Sequence, residues 1–453
     1  MAFNIEWGGK HVSFDKVVEA IRTSGADIVA IQEAEGNLAE LAAALNWYVD
    51  ERSYVVSRFR LLSPAGSGGR YTLAEVEPNR FVAVASVHLP SEEYGPDLVR
   101  DGAELQEVLD TERRVRLPML QTHLGAMKSN LPVEMPRFLL GDFNAPAHTD
   151  WTKDTAQVRD SVLFPVPWPT SLAMEAAGFR DAWRTIHPDA VRHPGLTWWA
   201  ARPAIPGYSP GPRDPSDRID LIWYSGPATP VAATLTGEPG AQDVSVEIAP
   251  WPSDHRAVVA DFELEAAAGP KFVTTDRHVY STESRISIVG VFDAGREVSI
   301  TLENAHGEQF DLASPQRGGS FEIQIDAPPP GRYRLAAITE SETFRAEFWV
   351  QDAEAAPTLS IQDSEIAEGD PIVVAWRYAP GFRNDYLALY EEGASDLVAD
   401  QLAYEYVHAK PEGTLEFAMR PAPGRYYLAL MKDDGYEALA KSAVFTVLSD
   451  DEG

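Results

Sequence analysis

A small set of polar side chains stands where chemistry could be done, each ending or closely following a strand-like apolar run. Glu33 follows the run Ala26 to Gln32 (ADIVAIQ), and His88 closes the run that begins at Phe81 (FVAVASVH). Asp142 and Asn144 follow RFLL in Gly141-Asp142-Phe143-Asn144, and Asp220 lies within Asp217 to Ile222 (DRIDLI). Asp254 and His255 form Ser253-Asp254-His255 just before an apolar run, and Asn4 lies in the opening strand. Taken singly, each has an ordinary explanation as a solvated strand end, a turn residue or a helix cap. Taken together they are the parts needed to hydrolyse a phosphoester: a hard cation on oxygen ligands, a base for water, and donors for the developing charge. Glu33, Asp254 and the amide of Asn4 suit Mg²⁺. Asp142 offers a base beside the Asn144 amide, which can orient the water or a phosphate oxygen. Asp220 would fix His255 and favour its imidazolium. His88 supplies a second cationic donor, and no serine or cysteine nucleophile is needed.

The elements that must carry these residues alternate between strand and helix patterns, which indicates an α/β domain with its site at the strand ends. Phe14 to Thr23 puts Val17, Val18 and Ile21 on one face, with Ser13 as N-cap and Gly25 as stop. Asn37 to Leu45 opens like a capping box, with Glu40 three residues after Asn37. A polar helix is expected from Gly102 toward Arg116, broken or kinked by Pro118. Ala266 to Pro270 reads as a linker. Beyond it lie short β-branched and aromatic runs with almost no helical period. Pro330-Gly331-Arg332-Tyr333 and Pro423-Gly424-Arg425-Tyr426 repeat at a spacing of 93 residues, which suits two tandem sandwiches of about 100 residues each. Their boundary is expected near residues 353–357.

Length and composition agree with several folded domains. The 453 residues are 44% hydrophobic and 24% charged, and no stretch approaches the ~18 apolar residues of a membrane span. The net charge is -31, with 23 basic against 37 acidic residues up to Glu265 and 15 against 32 beyond it. An acidic surface of this kind favours solubility and repels polyanions, so long nucleic acid is disfavoured as a partner. The absence of cysteine excludes disulfides, thiolate metal sites and a cysteine nucleophile. The opening MAFNIEWGG has no signal-peptide pattern. Phe3 and Ile5 already have strand character, as they would after removal of an upstream segment. Cytoplasmic and exported locations both fit.

The segments Phe3-Asn4-Ile5, Ile31-Gln32-Glu33, Ser86 to Leu89, Gly141 to Asn144, Asp217 to Ile222 and Ser253 to His255 appear in the order found in one family. On these motifs the chain resembles the endonuclease/exonuclease/phosphatase superfamily of DNase I-like nucleases, inositol polyphosphate 5-phosphatases and neutral sphingomyelinases. The resemblance implies an α/β (α+β) four-layer sandwich of two central β-sheets flanked by helices. It also implies Glu33 as the main metal ligand with Asn4 and Asp254 nearby, Mg²⁺ as the cofactor with Mn²⁺ or Ca²⁺ as alternatives, and Asp142 as the activator of water. Asn144 would contact phosphate, and His88 and His255 would bind or protonate it, with Asp220 orienting His255. Related enzymes often carry Arg then Gln three residues on after the His88 motif. Here Arg116 is followed by Met119, which leaves a phosphate contact from Arg116 in doubt. Ala145 to Trp151 resembles a substrate-side loop. Gly195 to Trp199 (GLTWW) matches a strand near the pocket, its tryptophans read as packing residues. Asp385 to Tyr390, Gly424 to Tyr426 and Asp434 to Tyr436 resemble SKICH-type immunoglobulin-like modules.

The expected architecture is thus a catalytic domain over 1–265, followed by two all-β immunoglobulin-like sandwiches, 271–352 and 357–449, the second SKICH-like. The expected activity is metal-dependent hydrolysis of a small-molecule or lipid phosphomonoester or phosphodiester. A nuclease of the same mechanism and a non-catalytic scaffold binding a partner through its sandwiches are the alternatives. Specificity is expected in the Pro-rich segments Pro165 to Pro169 and Ala201 to Pro215.

Overall fold

Short apolar runs alternating with amphipathic segments give, in the computed structural model, two seven-stranded mixed sheets packed face to face and flanked by helices. The structure describes residues 1–205, 215–312 and 316–449. It separates into two compact units, Met1–Lys271 and the chain from Phe272 onward.

In the first sheet, Ala2–Asn4 lies parallel to Ile28–Gln32, opposing Asn4 to Gln32, and antiparallel to Ala257–Leu264. In the second, Arg80–His88 is parallel to Arg137–Asp142, which is antiparallel to Asp220–Ser225. The register sets His88 opposite Asp142, and Asp142 opposite Asp220. Side chains alternate between faces along a strand. Ala30, Val82, Val84, Leu140, Ile222 and Val258 therefore fill the space between the sheets, while Phe3, Val29 and Ile31 face the other way onto Val17, Ile21, Leu38 and Leu41 of two helices.

The helix Phe14–Ser24 is capped as its sequence predicts. The Ser13 hydroxyl accepts the Lys16 N–H, and Gly25 adopts the left-handed conformation at φ 75°. Asn37 departs from expectation: its side chain makes no cap bond to Leu38–Leu45. Instead the amide donates to the Gly8 carbonyl at 3.1 Å and accepts from Lys10 Nζ at 3.1 Å, tying the helix to the loop after the first strand. The helix expected toward Arg116 is broken at Pro118 as anticipated: Leu105–Val115 ends there, and Pro118 sits in the first turn of a new helix, Leu117–Asn130. A proline there loses no hydrogen bond, because first-turn N–H groups have no helical acceptor. The Ala266–Pro270 stretch is also not a free linker: Ala267–Ala268 pairs with Arg80 and Phe81 as a further strand of the second sheet.

The second unit contains two β-sandwiches, each pairing a three-stranded with a six-stranded sheet. Ile286, Ile288, Val298, Leu335 and Phe348 fill the first. Ile372, Val374, Trp376, Leu389, Leu428 and Phe445 fill the second. The sequence repeat has a physical reason. Tyr333 donates its hydroxyl to the Pro329 carbonyl at 2.8 Å, and Tyr426 does the same to Ala422 at 2.9 Å, a tyrosine corner in each copy. Among the described residues, no helix is long and apolar enough to cross a membrane.

The two central sheets are stitched close to the ends that carry the polar residues. Gln32 Nε2 donates to the Ser86 hydroxyl at 2.8 Å, which donates to the Ile31 carbonyl at 2.9 Å. Gly141 makes this approach sterically feasible: its φ is 140°, and a Cβ would stand 2.1 Å from the Val87 oxygen and 2.7 Å from Gln32 Nε2. Gly141→Ala is therefore expected to cost about 2 kcal/mol or more of stability, read as a lowered denaturation midpoint. A midpoint equal to the parent's would show that this contact yields freely.

Candidate active site

The strand register carries the polar residues of both sheets to one place. Asn4 lies at its centre: Nδ2 is 2.8 Å from Glu33 Oε1, 3.2 Å from Asp142 Oδ2 and 3.4 Å from His255 Nε2. His255 Nδ1 meets Asp220 Oδ2 at 2.9 Å, while its Nε2 stands 3.8 Å from Asp142 Oδ2 and 3.9 Å from Asp254 Oδ1. His88 Nε2 approaches from the other side, 3.8 Å from Asp142 Oδ2 and 3.9 Å from Glu33 Oε1. Residues as distant in sequence as Asn4 and His255 thus share one cleft edge. Asp142, Asp220, Asp254 and His255 are buried, whereas the side chains of Glu33 and His88 remain 23% and 26% exposed. This pair is the part of the cluster that solvent reaches most readily.

Several backbone groups hold this geometry. Ser253 donates its hydroxyl to the Asn4 carbonyl at 2.7 Å and accepts the His255 N–H at 3.0 Å, clamping the Ser253-Asp254-His255 turn onto the opening strand. Thr197 Oγ1 accepts the N–H groups of both Ile219 and Asp220 at 3.1 Å. Glu33 adopts a left-handed φ of 55° and accepts the Trp7 N–H at 3.1 Å. Asn144 donates its side-chain amide to the Leu89 carbonyl at 2.9 Å and its backbone N–H to Asp142 Oδ1 at 2.7 Å. Its nitrogen is thereby engaged as a brace for the His88 and Asp142 strands.

The electrostatics follow from crowding carboxylates out of water. Burial pushes Asp254 up to about 7, against the nearby His255 and with Glu6 and Glu33 adding to the rise. Asp142 is likewise raised by burial and by Asp220, opposed by His255 and His88. Burial disfavours the His255 imidazolium, but Asp220, Asp254 and Asp142 outweigh it and hold the ring well above the ordinary histidine range. The set therefore carries more negative charge than its own cations neutralise, and its donors are oxygens, which fits a hard divalent ion. Among the described residues, Asp142, Asp220 and His255 also place one ligand atom each within 4.8 Å of one another. Asp220 Oδ2 and His255 Nδ1 share a hydrogen bond, while Asp220 Oδ1 is buried without a hydrogen-bond partner, so oxygens of Asp220 border the cluster together with those of Glu33, Asp142 and Asp254. Asn4 turns its oxygen onto the Glu6 N–H at 3.0 Å and presents nitrogen to the cluster. In this arrangement it donates to the carboxylates of Glu33 and Asp142.

Other expected contributors lie elsewhere. Arg116 is fully buried, pairs with Glu112 at 2.9 Å and donates to the carbonyls of Ser91, Glu92 and Glu93. It braces the loop after His88 and offers nothing to a phosphate. His148 contacts Ser171 and Glu175, and Trp151 packs edge-on to Trp168 within the core, which also holds the Pro165 to Pro169 segment in place through Val166 and Trp168. In the other segment expected to set specificity, residues 206–214 lie outside the described residues. Trp198 corrects the packing reading of GLTWW: its indole Nε1 donates to Asp254 Oδ2 at 3.3 Å. Its ring lies edge-on to Tyr94 at 5.3 Å, whose hydroxyl donates to the buried Asp217 at 3.1 Å. Glu6, Tyr94 and Arg202 are not singled out by residue type and spacing, and Asp217 enters only as the first residue of the Asp217 to Ile222 motif.

A family model described as "Endonuclease/Exonuclease/phosphatase family" matches residues 1–255. An uncharacterized protein of Caenorhabditis elegans is 29% identical over 291 residues, covering 58% of this chain and 90% of that protein. Among solved structures, the human OSCAR ligand-binding domain aligns with 39% of this chain and 97% of its own, at 16% identity and a TM-score of 0.24. A biofilm-associated protein BSP domain aligns with 40% of this chain at 16% identity and a TM-score of 0.17, and this chain spans 29% of its length.

The Asp220–His255 pair is testable directly. In metal-free, histidine-labelled protein, the His255 ring should titrate above the usual ~6.5 of histidine, and Asp220→Asn should move it downward by removing the strongest carboxylate influence on the ring. NMR titration reads both. Identical midpoints in parent and variant would show that Asp220 does not set the ring's charge.

Proposed function

This chain belongs to the endonuclease/exonuclease/phosphatase family, and from that premise we propose that it hydrolyses phosphoester bonds of a small molecule or lipid headgroup with a bound divalent cation. The observation that carries the proposal is Asp142, whose Oδ2 lies 3.8 Å from both His88 Nε2 and His255 Nε2. A base and two cationic donors around one space are what attack of water on a phosphate requires.

Glu33 and Asp254, with Asp142 beside them, would hold the cation, Mg²⁺ by the hardness of these oxygens. When bound, such an ion supplies Lewis-acid polarisation of the phosphoryl oxygens. The chain's own groups do the rest. Burial raises Asp142, so its carboxylate is better matched to accepting a proton from water near neutral pH. Asp220 holds His255 as imidazolium, which can bind a phosphoryl oxygen through Nε2 and give a proton to the departing oxygen. His88, on the open side, is placed to hold the other oxygens. Asn4 spaces Glu33 from Asp142, and Asn144 fixes the Asp142 side chain through its backbone N–H. The bond broken joins phosphorus to the ester oxygen, and the bond formed joins phosphorus to the water oxygen.

A nuclease of the same chemistry is the second reading, and the 23 basic against 37 acidic residues up to Glu265 speak against it, since polynucleotide binding draws on Lys and Arg contacts. Incubation with plasmid and single-stranded DNA, read on a gel, separates the two. A panel of sugar phosphates, inositol phosphates, phospholipids and nucleotides would identify the substrate.

Bis(p-nitrophenyl) phosphate should be cleaved in the presence of Mg²⁺ or Mn²⁺, and chelation should abolish the reaction. Asp142→Asn and His255→Ala should each lower kcat by at least ~10²-fold, the usual scale for a lost acid–base group. Full activity in either variant would overturn the roles assigned to these residues.

A further inference from the structure

Behind the carboxylate cluster lies an ion pair that the proposed chemistry does not use. Glu6 and Arg202 stand 196 positions apart in the chain, and Arg202 directs both Nε and Nη2 to the Glu6 carboxylate. Their side chains are only 3% and 1% exposed. Burying such a pair costs much of the hydration of both ions, and a well-packed apolar pair in the same space would often be as stable. Stability alone is thus a poor reason for its presence. Its remaining contacts point to the site. Glu6 Oε2 accepts the N–H of Asp254 at 3.0 Å, and the Glu6 N–H donates to Asn4 Oδ1 at 3.0 Å. The left-handed backbone at Glu6, φ 54°, turns the chain directly after the Ala2–Asn4 strand. Glu6 therefore touches the backbone of one proposed cation ligand and the side chain of the residue that spaces Glu33 from Asp142.

We infer that the buried Glu6–Arg202 pair is the positioning device of the cation site, fixing Asp254 and Asn4 by hydrogen bonds while cancelling its own charge beside the ion. This rests on the proposed metal-dependent activity. The two functions of the pair separate cleanly. As the acceptor of the Asp254 N–H, the oxygen of a glutamine at position 6 can stand in for Glu6 Oε2, while its amide NH2 loses the bond from Arg202 Nη2. As a charge, it cannot. Without Glu6 the Arg202 guanidinium opposes a bound cation, and without Arg202 the Glu6 carboxylate attracts one. A change of one unit charge near a divalent ion alters affinity by at least about tenfold, even when well screened. Cation affinity should therefore follow the net charge of the pair.

The test uses the full chain stripped by chelator, with Mg²⁺ binding measured by calorimetry and thermal melting as a check of folding. Glu6→Gln should weaken Mg²⁺ binding at least tenfold, and Arg202→Met should leave it as tight as the parent or tighter. Combining the two changes restores neutrality and should return the affinity to within about threefold of the parent. With bis(p-nitrophenyl) phosphate, Glu6→Gln should shift the Mg²⁺ concentration for half-maximal rate by the same factor as the affinity, with a smaller change in kcat at saturating Mg²⁺. If one single variant melts below the assay temperature, the other still fixes the sign against the double variant. Affinities that do not order by charge, or a double variant as weak as Glu6→Gln, would overturn the inference while leaving the parent activity standing. A parent chain that neither binds Mg²⁺ nor cleaves the ester would instead sink the functional reading on which the inference rests.

Discussion

Five carboxylates, from Glu6, Glu33, Asp142, Asp220 and Asp254, are linked through Asn4, His88, His255 and the Asp254 N–H, and among the described residues Arg202 pairs with Glu6 beside them. Charges of one sign held close together in a poor dielectric repel strongly unless something neutralises them. The protein answers in three ways. Arg202 neutralises Glu6 outright. Asp220 recruits the His255 proton. The remaining pressure falls on Asp142 and Asp254, both driven up by burial. A divalent cation among the last oxygens, as proposed, would relieve that pressure.

The fold exists to hold this unfavourable arrangement. No single element contributes more than two of the residues, so the geometry depends on the relative placement of two sheets. Register aligns His88, Asp142 and Asp220 within one sheet. The Gln32–Ser86 stitch and the bare Gly141 backbone fix the other sheet against it. The Ser253 clamp to the Asn4 carbonyl then brings Asp254 and His255 to the first strand. Each of these contacts is short and buried, which leaves few soft modes by which the carboxylates could move apart. Rigid packing of this kind is how a strained constellation persists in a stable domain.

The parts that sequence revealed share one property: they sit where an apolar run stops. Glu33, His88, Asp142 and Asp220 are visible because strand periodicity is local and the end of a run is readable. The helix Phe14–Ser24 was equally legible, since cap, apolar face and stop all lie within a dozen neighbours. What escaped was non-local. Glu6 and Arg202 look like surface charges until the fold buries them against each other. Trp198 looks like packing until its indole is seen on Asp254. Asn37 has the residue type of a cap, but the nearby Gly8 carbonyl competes successfully for its side chain. The break near Pro118 was legible, because a proline breaks or kinks a helix interior, but that a second helix starts at Leu117 was not.

The whole-chain charge bears on what such a site can accept. A net charge of -31 creates a field that repels anions until screening takes over, at about 8 Å under physiological salt. On the proposed chemistry, a phosphate would therefore be held by short-range contacts, with the partly exposed side chain of His88 outermost and the buried ring of His255 beyond it. Short-range capture of this kind discriminates by charge number. A ligand bearing one or two phosphate charges suffers a repulsion that a bound ion and two imidazoles can offset, whereas each further phosphate remaining outside the cleft adds repulsion with no local partner. On the proposed chemistry, the acidic surface would disfavour extended polyanions relative to small phosphoesters.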